Sequence, residues 1–121
     1  VWLMLTPLIM HSTHRLPKTI RLSSSLAIED LFKKGRSFHK GALKFYYVPS
    51  EKTQVLFMAP KRVYKKAVDR NRAKRLLREA FRTADIQPSQ PYHLGIMIIK
   101  PVDLADASQI KKWVIDGLTE L

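Results

Sequence analysis

Leu43-Lys44-Phe45-Tyr46-Tyr47-Val48-Pro49-Ser50-Glu51-Lys52-Thr53-Gln54-Val55-Leu56-Phe57-Met58-Ala59 is the stretch on which the architecture turns. Residues 43–48 and 53–59 are rich in aromatic and β-branched side chains, the residue types that pack well on a pleated surface. Between them Pro49-Ser50-Glu51-Lys52 is turn chemistry. Read locally, the two runs form an antiparallel hairpin, and Pro60 ends the second strand because it has no N–H to give to a ladder.

Working outward, a basic connector follows Pro60, and the spacing of apolar residues predicts the longest helix over 69–84. Gln87-Pro88-Ser89-Gln90-Pro91 is a loop. His93 to Lys100 contains Leu94-Gly95-Ile96-Met97-Ile98-Ile99, a continuous apolar run of the kind a central strand shows. Pro101 stops it, and Asp106 to Glu120 is an amphipathic helix through Ile110, Trp113, Val114 and Leu118. Upstream, the hydroxyls of Ser23-Ser24-Ser25 cap a short helix over Leu26 to Lys34, with Gly35 as its stop. His39 falls in or near the turn that follows. The predicted order is α-β-β-α-β-α, an α+β fold with a small mixed sheet and helices packed on it. The last strand can lie parallel to a hairpin strand, with the 69–84 helix as the crossover.

At 121 residues the chain is one domain by size, and neither repeats nor a low-complexity linker divide it. Residues 15–121 are assigned to that domain. Residues 1–14 form an extension whose first ten residues, Val1 to Met10, are apolar apart from Thr6. As a helix those ten would span about 15 Å, roughly half a bilayer core. They follow no basic segment and contain Pro7, so they read poorly as a signal peptide or a membrane span. The extension is expected to be dispensable.

Charge narrows the function. The chain has 22 Lys+Arg against 10 Asp+Glu, a net charge of +12 and a pI of about 10.2. A folded domain with that imbalance repels itself unless a polyanion neutralises it, and nucleic acid is favoured over an anionic membrane. The apolar fraction of 45% speaks against general disorder. There is no cysteine, which removes disulfides, thiolate zinc sites and thiol nucleophiles and fits a cytoplasmic location. The four histidines, His11, His14, His39 and His93, form no ligand spacing.

The charge is concentrated in residues 61–82, where 22 positions hold ten basic residues and two acids. Lys61, Arg62, Lys65 and Lys66 occupy the connector, and Arg70, Asn71, Arg72, Lys74, Arg75, Arg78 and Arg82 the helix. At about 100° per residue, Ala73, Leu76, Leu77, Ala80, Phe81 and Ala84 share one face. Arg70, Lys74, Arg78 and Arg82 run at i, i+4 down the adjacent side, with Asn71 and Arg75 beside them. Like charges at that spacing repel, and a solvated face normally mixes Glu with Lys, whereas here only Glu79 interrupts the run. A phosphate backbone reverses the sign of that repulsion.

The run Lys61-Arg62 … Lys66-Ala67-Val68 … Arg70-Asn71-Arg72 … Lys74-Arg75 … Arg78-Glu79-Ala80-Phe81-Arg82 resembles the signature of the protein component of bacterial ribonuclease P. Arg21-Leu22, Asp30-Leu31-Phe32 and Gly35-Arg36-Ser37-Phe38 extend the likeness, which covers about Arg15 to the C-terminus. The resemblance implies a subunit that binds a catalytic RNA and the 5′ leader of precursor tRNA. The RNA partner, assisted by Mg2+, carries out the cleavage. It also implies a leader cleft lined by Ile28, Phe32 and Tyr46, and a left-handed crossover that the residues themselves would not predict. One departure is Ile28, where the family often places an aromatic, so apolar contact replaces one stacking contact.

The ten acids, from Glu29 to Glu120, are scattered along the chain, and its four glycines form no phosphate-cradling loop. Without clustered carboxylates or a positioned His–carboxylate set, no catalytic residue, resident metal or bound cofactor is expected in the protein. Neither a membrane nor a small-molecule substrate is expected as a partner. A ribosomal or RNA-assembly protein would share the charge but not the motif order. A major-groove DNA reader would need a dimerisation heptad or a helix-turn-helix pairing, and neither is apparent.

Overall fold

The computed structural model describes residues 20–84 and 86–121. The apolar extension, His11, His14 and Asp85 lie outside the described residues. In chain order the elements are α1 (Ser25–Lys34), β1 (Arg36–Lys40), β2 (Leu43–Pro49), β3 (Gln54–Met58), α2 (Ala67–Thr83), β4 (Tyr92–Ile98) and α3 (Ala107–Glu120). The α+β class holds, with one strand more than the sequence predicts. The residues after Gly35 continue as β1, and His39 lies within that strand rather than at a turn.

The predicted hairpin between residues 43–48 and 53–59 does not form. The sheet order is β1-β2-β4-β3, so β4 separates the two strands. It runs antiparallel to β2, from Leu43↔Ile98 to Pro49↔Tyr92, and parallel to β3, from Gln54↔His93 to Met58↔Met97. The apolar run of β4 gives the reason. Leu94, Gly95 and Ile96 are buried in succession, and such a strand is costly at an edge with half its backbone unpaired. The hairpin that does form joins β1 and β2 through Gly41 and Ala42, with φ +59° at Gly41 and a negative φ at Ala42. A first central residue with positive φ suits a two-residue hairpin turn and favours glycine. The parallel β3–β4 pair needs a crossover, and α2 supplies it as the sequence predicts.

Side chains alternate across the sheet. Leu43 and Phe45 of β2, Val55 of β3, and Leu94, Ile96 and Ile98 of β4 form one core with Ala73, Leu77, Ala80 and Phe81 of α2 and Ile110, Val114 and Leu118 of α3. The predicted apolar face of α2 is buried there, with Leu76 at its half-buried margin. Burying each large aliphatic or aromatic side chain contributes about 1.5–3 kcal/mol. The other face of the sheet carries α1, whose fully buried Leu31 lies over Gly95 of β4. Side-chain caps fix two helix starts: Ser24 Oγ accepts from the Ala27 N–H at 3.4 Å, and the Asp106 carboxylate accepts from the Gln109 N–H at 3.1 Å. Among the described residues no helix is long and apolar enough to cross a membrane.

Candidate nucleic-acid interface

Helix α2 is built largely from Ala, Leu, Arg, Lys and Glu, which lose little in a helix, and Asp69 complements the dipole in its first turn. Its apolar face fixes how it rotates on the sheet, since Phe81 packs edge-on to Phe57 of β3 with ring centroids 5.9 Å apart. That seating turns Asn71, Lys74, Arg75 and Arg78 toward the β3 edge of the sheet. There they line a cleft of ≈480 Å³ together with Arg21 and residues of β3. The spacing i, i+3, i+4, i+7 puts the four α2 residues on one helical face.

Arg21 reaches this cleft because residues 20–22 run along the outer edge of β3. The Val55 N–H donates to the Ile20 carbonyl at 2.8 Å, and the Leu22 N–H donates to the Val55 carbonyl at 2.9 Å. The Nε of Arg21 is buried and meets no hydrogen-bond partner among the described residues. No acid is among the described residues lining the cleft, which therefore concentrates positive potential in a concave, partly desolvated place. Sequence reasoning missed Arg21 as a site residue. Its place depends on pairing with Val55 of β3, and the sequence hinted at it only through the Arg21-Leu22 pair of the family likeness, to which no role was attached.

The predicted stripe does not act as one row. Lys74 and Arg78 line the cleft, but the residues at the two ends of the row are tied to partners within the protein. Arg70 Nη1 donates to the carbonyls of Tyr64 at 3.1 Å and Lys65 at 2.8 Å. Arg82 forms an ion pair with Glu79, its Nε donating to the carboxylate at 3.2 Å. The hydrogen bonding that Arg82 donates to the Glu79 carboxylate raises the Arg82 pKa above its usual value; burial opposes this, and the Glu79 charge adds to it. Arg72 and the connector cations Lys61, Arg62, Lys65 and Lys66 are exposed.

The three residues assigned to a second cleft lie elsewhere. Phe32 of α1 is 41% exposed and meets the ring of Tyr46 edge-on at a centroid distance of 4.8 Å. Ile28 is half-buried one turn before Phe32. The Lys44 ammonium sits 5.0 Å from the Tyr46 ring centroid, adding a cation beside the aromatic pair that the sequence did not single out. None of these residues lines the basic cleft, and β4 stands between β2, which carries Tyr46, and β3, which borders that cleft.

A family model described as Ribonuclease P matches residues 16–121. The ribonuclease P protein component of a Nitratiruptor species is 37% identical over 60 residues. That alignment takes in 50% of this chain and 54% of the relative, so it spans about half the relative's length. Among proteins of known structure, the RNase P protein from Thermotoga maritima superposes with a TM-score of 0.68 at 16% identity. The superposition covers 84% of this chain and 96% of that one. The RNase P protein from Staphylococcus aureus superposes with a TM-score of 0.65 at 19% identity, over 85% and 92% of the two chains.

Proposed function

The chain belongs to the ribonuclease P protein family, and from that premise we propose that it is the protein subunit of a ribonucleoprotein that matures the 5′ end of tRNA in the cytoplasm. Its partners are a catalytic RNA and precursor tRNA. The RNA performs the cleavage with Mg2+, and the protein supplies binding surfaces and no catalytic group. The observation that carries the proposal is the acid-free basic cleft of Arg21, Asn71, Lys74, Arg75 and Arg78 on a chain of net charge +12. Phosphates entering it release counterions and remove the repulsion among the cations. Arg72 and the exposed connector lysines extend the same surface.

On the opposite face, Ile28, Phe32 and Tyr46 form the cleft for the single-stranded leader. Phe32 is 41% exposed, and unpaired bases stack on exposed aromatic rings. Lys44 beside Tyr46 adds a contact for the leader backbone. Changing both Phe32 and Tyr46 to alanine is expected to weaken holoenzyme binding of precursor tRNA by about 1–3 kcal/mol per lost stacking contact. Binding of mature tRNA, which has no leader, should be unchanged. Equal losses on the two RNAs would show that the pair serves the fold.

The proposed activity is tested by reconstitution. The purified protein with magnesium should leave precursor tRNA intact, and adding a bacterial ribonuclease P RNA should produce cleavage at the mature 5′ end. RNA-free cleavage that follows the protein through several columns would overturn the division of labour. Sequencing of the RNA that copurifies with the tagged protein should return one structured RNA of this class. Ribosomal RNA there would instead point to an assembly protein.

A further inference from the structure

Arg70 opens the Arg70-Asn71-Arg72 run, yet its geometry differs from that of its neighbours. Asn71 and Arg72 are exposed, whereas Arg70 is half-buried and turned back along the chain. Its Nη1 donates to two successive carbonyls of the connector, those of Tyr64 and Lys65. Its own N–H donates to the Lys66 carbonyl at 3.1 Å, the first bond of α2. Lys66, at the N-cap position, makes no side-chain cap bond, so the Arg70 side chain is the polar tie between connector and helix.

The connector is also held from the opposite side. Tyr64 Oη accepts from the Val102 N–H at 2.9 Å and donates to the Val102 carbonyl at 3.1 Å. Within the connector, the N–H groups of Val63 and Tyr64 both point to the Pro60 carbonyl, at 3.0 and 3.2 Å. Both anchors thus fall at Tyr64 and Lys65, in the middle of the four exposed cations, with Lys61 and Arg62 before them and Lys66 after. Four like charges on a short segment would otherwise drive it apart, because no carboxylate among the described residues pairs with any of them.

Resting on the RNA-binding reading above, we propose that Arg70 is a positioning residue: its guanidinium clasps the Tyr64 and Lys65 carbonyls and so holds Lys65 and Lys66 in the arrangement that meets RNA phosphates. Its contribution to binding passes through the connector. Both bonds leave Nη1, whose two N–H groups are fixed at a set angle in the guanidinium plane and so meet two successive carbonyls, whereas the lysine ammonium is a point charge that turns freely on a flexible stem.

Two measurements on the full-length protein test this. The first is a double-mutant cycle on affinity for a bacterial ribonuclease P RNA, comparing Arg70→Ala, the pair Lys65→Ala/Lys66→Ala, and all three together. If Arg70 acts through these lysines, the triple variant should bind within about twofold of the lysine pair. Arg70→Lys should fail to restore affinity, and Tyr64→Phe, which releases the other anchor, should show the same non-additivity. Losses that multiply, with rescue by Arg70→Lys, would mean that Arg70 meets phosphate directly and would overturn the proposal. The second is amide hydrogen exchange without RNA. The Val63 and Tyr64 amides should exchange about tenfold faster in Arg70→Ala at unchanged global stability, and unchanged exchange would also overturn the clasp. If Arg70→Ala does not fold, Arg70→Lys and Tyr64→Phe carry both measurements. Should the lysine pair itself leave RNA affinity unaltered, the RNA reading of the connector fails, while the exchange experiment still decides the clasp.

Discussion

Converting Lys74, Arg75 and Arg78 together to alanine is expected to weaken binding to ribonuclease P RNA by at least about a thousandfold, since each charge-assisted contact is worth about 1.5–3 kcal/mol. The plot of log affinity against log salt should also flatten, by about 0.7–0.9 units for each phosphate contact removed. These three are chosen over Arg70 and Arg82 because they line the cleft, while those two are tied to the connector and to Glu79. The fold should survive. All three lie off the buried face of Ala73, Leu77, Ala80 and Phe81, and alanine is the best helix former. Lys111→Ala/Lys112→Ala on α3 is the control and should change little. A folded triple variant that kept both affinity and salt slope would remove the basis for the RNA reading.

The largest loss of stability is expected at Gly117, in the middle of α3. A glycine inside a helix is ordinarily unfavourable, by roughly 0.5–1 kcal/mol relative to alanine. Here an added Cβ would overlap the Phe45 ring, which is fully buried on β2 and cannot swing outward. Gly117→Val should therefore cost about 3 kcal/mol, the upper part of the range for overpacking. In a domain of this size that corresponds to a fall in Tm of roughly 10–20 °C. Gly117→Ala should be destabilising too, against the helix-propensity trend. Adding Phe45→Leu to Gly117→Ala should recover part of the loss, because the two side chains compete for one space. A Tm for Gly117→Ala at or above that of the parent would show that α3 shifts to make room.

Helices are the most legible part of the sequence, because their signals are local. Ser24 caps α1 and Asp106 caps α3, and the periodic apolar residues of α2 point inward as their spacing predicts. Strand β1 is illegible because Arg36-Ser37-Phe38-His39-Lys40 lies at an exposed edge, where only Phe38 and Lys40 are even half-buried and no apolar alternation is required. The hairpin reading of residues 43–59 fails for a different reason. A turn between two strands says nothing about whether a third strand enters between them. The contrary signal is β4 itself, whose unbroken apolar run calls for pairing along both edges and so for β2 and β3 as its flanks.

The site divides in the same way. The basic face of α2 follows from spacing, and the Arg82–Glu79 pair is open to an i, i+3 reading. The turn of Arg70 toward Tyr64 and Lys65 is not, because it depends on the path of an irregular connector. Arg21 enters the cleft only through its pairing with β3.

The placement of β4 between its two neighbours also sets an order of assembly during synthesis. A nascent chain that has emerged only as far as Thr83 contains β1, β2, β3 and α2, but β2 and β3 each present a bare edge where β4 will lie. Unpaired edges of this kind template pairing with other chains. The cations of α2 and its connector emerge in the same interval, before the last strand is made, and their mutual repulsion keeps incomplete chains apart. The sheet is complete only once Tyr92 to Ile98 takes its place between β2 and β3.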